Sequence, residues 1–211
     1  VLAQTTGFQV LVQLALMSGG AGKTALLAYT MPFWVIPLAW LLLGDRPGAR
    51  QWAYIALAGA GLLLVLEPWR ARVGFASALL ALGGGACWAI GTVLAKRLFR
   101  DSAVSPLRLT AWQMLYGTVF LVVLALCLRE RATVWSPQLI GALLYNGVLS
   151  SGLAWALWLF VVQRLAANVA GLASLITPLV GVAFAWLLLG ERPDVAEALG
   201  IAVIGAALFG V

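Results

Sequence analysis

Residues 30–47 read Thr-Met-Pro-Phe-Trp-Val-Ile-Pro-Leu-Ala-Trp-Leu-Leu-Leu-Gly-Asp-Arg-Pro, and residues 176–193 read Ile-Thr-Pro-Leu-Val-Gly-Val-Ala-Phe-Ala-Trp-Leu-Leu-Leu-Gly-Glu-Arg-Pro. Pro32 falls on Pro178, Ala39–Gly44 on Ala185–Gly190, Asp45 on Glu191 and Arg46-Pro47 on Arg192-Pro193, all at a constant offset of 146 residues. The same offset carries Gly59-Ala60 and Leu62 onto Gly205-Ala206 and Leu208. Two Leu-rich helices resemble each other by chance. A gap-free match through Pro, Trp, Gly, an acid, Arg and Pro does not arise that way, so the chain is an internal repeat.

Composition says where the repeat resides. The chain is 64% hydrophobic and 9% charged, against about 25% charged for a soluble domain. Too little charge is available to cover a surface in water, so the expected class is an all-α integral membrane protein. There is no His, and the two Cys, Cys87 and Cys127, lie in apolar runs. Neither a disulfide framework nor a metal site is indicated. The net charge of +6 comes from short loops. It suits helix orientation and contact with anionic headgroups rather than nucleic acid.

Eight apolar segments of near-spanning length follow: 2–18, 24–43, 51–66, 73–95, 109–128, 138–162, 168–189 and 195–211. Turn residues separate several of them, at Asp45-Arg46-Pro47-Gly48, Glu67-Pro68, Asp101-Ser102 and Ser136-Pro137. Residues 1–67 hold three helices of the first copy, and 72–211 hold five of the second. From Arg72 to Pro178 is 106 residues, whereas 31 precede Pro32. The shortfall of roughly 75 residues is room for two spanning helices at about 20 residues each. The expectation is that two helices of the first copy lie outside this chain; the alternative is a natural short form. Five helices per complete copy would make the second copy enter from the opposite side, an inverted-topology repeat. Loop charges do not orient it: seven Lys and Arg fall on one side and six on the other. The Lys96-Arg97-Arg100 cluster leans toward a cytoplasmic 95–108 loop.

Ser18-Gly19-Gly20-Ala21-Gly22-Lys23-Thr24 approaches a phosphate-binding loop, but Met17 stands where the first Gly belongs and no strand precedes it. It reads as a Gly-rich turn. Pro32, Pro37 and Pro178 fall inside expected spans, where a proline frees a carbonyl and bends the helix. They are candidate hinges, with packing kinks as the plain alternative. Gly83-Gly84-Gly85, Gly91, Ala202, Gly205 and Ala206 suit close helix contact.

Polar residues in spans cost free energy if they face lipid. Gln9 and Gln13 share a helical face, with Gln4 less clearly placed, and Trp88 and Thr92 share another. Trp112, Gln113 and Tyr116 lie in the fifth segment. In the sixth, Asn146 and Ser150 share one face, and Ser151, Trp155 and Trp158 another. The candidate cavity residues are Gln9, Gln13, Tyr29, Trp88, Asn146, Ser150, Trp155 and Ser174. Interhelical hydrogen bonds and interfacial belts are the competing explanation. No Asp, Glu or Lys lies centrally in a span, so no carboxylate for proton coupling is visible. No catalytic constellation or cofactor motif is visible either, which leaves an enzyme reading without support.

The doubled motif Pro-x(6)-Ala-Trp-Leu-Leu-Leu-Gly-Glu/Asp-Arg-Pro resembles that of the EamA-type permeases of the drug/metabolite transporter superfamily. The resemblance runs along essentially the whole chain. It implies ten helices in two inverted five-helix repeats, a central cavity, and transport, often export, of amino acids, metabolites or drugs. By position, 2–18, 24–43, 73–95, 138–162 and 168–189 would face that cavity. The reading reached is a bacterial inner-membrane permease exporting small polar or amphipathic solutes, amino acids first, by alternating access. Its expected partners are a small-molecule solute and the lipid bilayer, with no nucleic acid. The oligomeric state is open, and a monomer is compatible. A nucleotide-sugar or drug/amine carrier is the alternative within transport, and a non-transporting membrane scaffold the alternative outside it.

Overall fold

The computed structural model describes residues 2–19, 24, 27–66, 74–127, 135–184, 186–187 and 194–209. Among these every regular element is helical. A short π-helical turn, π1 (Ala3–Gly7), leads into α1 (Phe8–Gly19). Then come α2 (Met31–Leu43), α3 (Ala49–Leu66), α4 (Phe75–Asp101) and α5 (Pro106–Cys127). The next span is α6 (Pro137–Leu144), the π-helical stretch π2 (Tyr145–Ala154) and α7 (Trp155–Arg164) in continuous succession. The chain ends with α8 (Ala167–Ala173), α9 (Ile176–Phe184) and α10 (Val195–Phe209).

All eight expected segments contain helix. Three are unbroken and apolar enough to cross a membrane: Phe75–Asp101, Pro106–Cys127 and Pro137–Arg164. Local chemistry sets several ends. Ser136 caps α6 by accepting from Leu139 N–H at 3.2 Å, with Pro137 at the first helical position. Asp194 and Glu197 bond reciprocally to each other's backbone N–H at 2.9 and 3.0 Å, a capping box before α10. α2 stops at Gly44, whose φ of 73° is the left-handed conformation of a helix C-cap. Lys96-Arg97-Arg100, expected in a loop, belong to the last turns of α4. There Arg100 clasps both Asp45 oxygens at 2.8 Å and donates to Leu43 O at 3.1 Å. The motif's acid thus ties the end of α2 to α4, and Lys96 ties α4 to α7 through Gln163 O at 2.9 Å.

The two prolines shared by the repeat do not sit in mid-helix. The 24–43 segment turns at Tyr29-Thr30 and the 168–189 segment at Ser174-Leu175. At each break the same pattern recurs. Thr30 N–H donates to Leu27 O at 3.2 Å and its hydroxyl to the same oxygen at 2.6 Å; Ser174 N–H and hydroxyl reach Gly171 O at 3.2 and 2.6 Å. Phe33 N–H then bonds Thr30 O, and Thr177 N–H bonds Ser174 O, at 3.0 and 3.1 Å. Pro32 and Pro178 follow in the first turns of α2 and α9, where a missing N–H costs no intrahelical bond. Their expected role as interior kinks is corrected accordingly. Pro37 is inside α2, exposed, and the helix continues past it to Leu43.

α3 and α10 occupy equivalent places in the two copies and pack on each other. A Cβ on Gly200 would lie 2.7 Å from Gly61 O, and one on Gly61 would lie 2.9 Å from Gly200 O, so only glycine permits this approach. Gly205, expected at such a contact, has open space around it instead. Beside this pair, Ile36, Ile55, Leu62, Leu172, Leu175 and Ile204 form an apolar core joining α2, α3, α8 and α10. The outward faces stay apolar: on α5 alone Leu115, Val119, Phe120, Val122, Val123 and Leu126 are exposed. Such a surface suits lipid rather than water. Residues 20–23 with Lys23, together with Glu67, Arg70, Arg72, Arg129, Arg131 and the second motif's Gly190-Glu191-Arg192-Pro193, lie outside the described residues.

Candidate functional site

Gln4 is fully buried in π1 and stands at the centre of a chain of uncharged polar groups. Its Nε2 donates to Thr92 Oγ1 at 3.3 Å, and Thr92 Oγ1 donates onward to Trp88 O at 3.0 Å. Gln113 Nε2 reaches Gln4 Oε1 at a long 3.5 Å, and Trp155 Nε1 donates to Gln113 Oε1 at 3.0 Å. Four spans are thereby linked: π1–α1, α4, α5 and π2–α7. The approach of π1 to α4 depends on Gly91, where an added Cβ would collide with Gln4 Cβ. Around the chain lie stacked rings. Trp88 is edge-on to Phe8 and to Trp155, each at 5.0 Å between centroids, and tilted against Trp158 at 5.9 Å. With its N–H committed to Gln113, Trp155 can offer a ligand only its ring.

This relay backs two cavities. The smaller, about 130 Å³, is lined by Thr5, Gln9, Met114, Gly117, Thr118, Leu121, Ser151 and Trp155. The larger, about 450 Å³, runs along α1 and α5 between Gln9, Val10, Gln13, Leu14, Met17, Leu121, Leu124 and Ala125. Gln9 and Leu121 belong to both, so the two form one groove. Gln9 and Gln13 are exposed in it, and among the described residues neither amide has a hydrogen-bond partner. Among the described residues no Asp, Glu, Lys or Arg lines either cavity.

The structure brings Gln9, Gln13 and Trp155 to the groove, with Trp88 packed edge-on against Trp155 and lining neither cavity. It does not bring in the other four candidates. Tyr29 packs against the apolar core at α3 and α10. Ser174 is half-buried with its hydroxyl spent on Gly171 O. Asn146 and Ser150 are exposed and line neither cavity; Ser151 does instead. Their placement assumed an α-helical period. Every residue from 140 to 150 is exposed, so no face of this stretch, whichever period it follows, is buried against the bundle. Gln4 and Gln113, which organise the site, were visible only as amides inside spans; nothing in their spacing pairs residues 109 positions apart.

Apolar outer faces, spanning helices and a solute-sized groove without charge define an all-helical integral membrane protein. Residues 1–67 and 75–211 match the EamA-like transporter family, and the chain belongs to it. It is 26% identical over 193 residues to the uncharacterized transporter YoaV of Bacillus subtilis, covering 90% of this chain and 65% of that one. A riboflavin transporter of Rhizobium johnstonii is 30% identical, with 87% and 59% covered. The threonine/homoserine exporter RhtA of Escherichia coli is 26% identical, with 97% and 66% covered. The chain thus spans about three-fifths to two-thirds of the length of these relatives. A crystal structure at 18% identity superposes with a TM-score of 0.84 over 99% of this chain and 75% of that chain, which confirms the fold.

Proposed function

We propose that this chain belongs to a carrier that moves small polar or amphipathic solutes, amino acids first, out across a bacterial cytoplasmic membrane. The observation that carries this is the pair of exposed amides, Gln9 and Gln13, without a hydrogen-bond partner among the described residues, on an otherwise largely apolar groove wall. Both amides are exposed in the groove, so a solute could hydrogen-bond to them without first displacing a protein partner among the described residues. Thr5, Ser151 and the Trp155 ring complete the lining, and the amide relay behind them holds α1, α5 and π2–α7 in register. Alternating access would bend the bundle at the turns Tyr29-Thr30 and Ser174-Leu175, with Pro32 and Pro178 fixing the chain direction just beyond. Amino-acid export by the RhtA relative agrees with the reading. The riboflavin transporter favours a second one, since a planar aromatic solute could stack on Trp155.

The test is thermal stabilisation of the purified protein by amino acids, amines, riboflavin, drugs and nucleotide sugars, then counterflow in liposomes. A ligand at 100 times its Kd adds about 2.7 kcal/mol to the folded state. Stabilisation by one class, followed by counterflow that Gln13→Leu abolishes, is the expected result. A flat screen on folded protein would overturn transport and favour a membrane scaffold.

A further inference from the structure

The groove is divided, and its division specifies the shape and charge of what it takes. The inference rests on the transport reading above. The compartment of about 130 Å³ carries the polar atoms of Thr5, Gln9, Thr118 and Ser151. The compartment of about 450 Å³ is walled by Val10, Leu14, Met17, Leu121, Leu124 and Ala125, with polar side chains only from Gln9 and Gln13. The smaller one suits a compact polar headgroup and the larger an extended apolar group. Gln9 stands at the junction, able to donate and accept toward either side. Among the described residues neither compartment offers a counter-charge, and the relay behind them is uncharged.

We infer that the ligand is an amphipath of zero net charge, its compact polar head in the small compartment against Gln9 and Ser151 and its apolar tail along α1 and α5. Gln9 is the residue that reads the head. A single unpaired charge would lose its hydration and find only dipoles, whereas adjacent opposite charges or a neutral head lose less. The tail compartment rewards apolar length until it is filled.

A matched series tests both halves of this statement on the full chain. Alanine, norvaline and phenylalanine keep the same zwitterionic head. Phenethylamine and 3-phenylpropionate each remove one of phenylalanine's two charges and add no bulk, so weaker binding cannot be blamed on size. The expected result is about fourfold tighter binding per added methylene. Phenethylamine and 3-phenylpropionate should both bind at least about tenfold more weakly than phenylalanine. Gln9→Leu should weaken every head by about tenfold while the ligand-free melting temperature stays near wild type, and Ser151→Ala should act in the same direction. Equal binding of either singly charged analogue, or affinity flat with tail length, overturns the inference and leaves transport standing. Absence of stabilisation by every compound of every charge overturns both.

Discussion

α3 and α10 meet backbone to backbone at Gly61 and Gly200, while π1, α5 and α7 beside the groove meet through side chains: Thr5 is seated against Gly117, and Gln4, Gln113 and Trp155 are joined by amide and indole hydrogen bonds. The two regions answer the same difficulty differently. Inside a bilayer, burying apolar surface gives helices little reason to associate, because lipid tails are as apolar as leucine. The glycine pair associates through close van der Waals contact, which is short-ranged and unforgiving of added volume. The amide relay associates through directional bonds that can break and re-form singly, with one of its links already at 3.5 Å. On the proposed reading, a region that admits a solute is better built the second way, and a region that must hold its shape the first.

Gly200→Ala should expose that difference most sharply. Its Cβ would meet backbone atoms Gly61 O at 2.7 Å and Val65 N at 2.8 Å, so one whole helix must shift. The expected loss is about 3 kcal/mol, read as a lower melting temperature in detergent with ligand binding otherwise retained in the folded fraction. A wild-type melting temperature would show that the pair is not closely packed.

Gln113→Leu should cost less in stability and more in function. It strands Trp155 Nε1 and Gln4 Oε1, at about 1–3 kcal/mol, and frees the Trp155 ring to turn. Solute affinity should fall by more than the melting temperature suggests. Parallel losses in both would mean the relay only glues helices together.

Arg100→Lys is the smallest of the three. The Arg100–Asp45 pair is bidentate but 40% and 20% exposed at its two side chains, and such pairs contribute about 0.2–1 kcal/mol. Lys should lose part of that, measurable as a small melting shift that 1 M salt diminishes in the wild type too. A large loss would place this contact with the glycine pair as a structural clamp.

Sequence patterning carried the architecture a long way. The doubled Ala-Trp-Leu-Leu-Leu-Gly motif and the scarcity of charge led to the helical membrane class and to the family. Gln9 and Gln13 stood out in the sequence because a polar group in a span needs a reason, and both lie on the groove with Trp155. Asn146 and Ser150 line neither cavity because the whole 140–150 stretch is exposed, which hydropathy does not announce. Ser174 spends its hydroxyl on its own backbone at a mid-segment turn, and Tyr29 packs on the apolar core, neither of which spacing reveals. Gly200 escaped notice beside Gly205 because small residues along α10 look alike until the partner's carbonyl is known.

The breaks at Thr30 and Ser174 have a last consequence. They use the same hydrogen bonds, yet Thr30 precedes its proline by two residues and Ser174 by four. A carrier assembled from two identical, oppositely facing halves would have end states that are images of one another and equal in energy, with no preferred resting side. Under the proposed alternating access, the two-residue displacement removes that degeneracy. Labelling of Gln13→Cys by a membrane-impermeant reagent applied from each face would reveal it, and equal reactivity from both would argue against it. On the proposed reading the displacement would give the empty carrier a built-in direction of rest, set by where two turns fall.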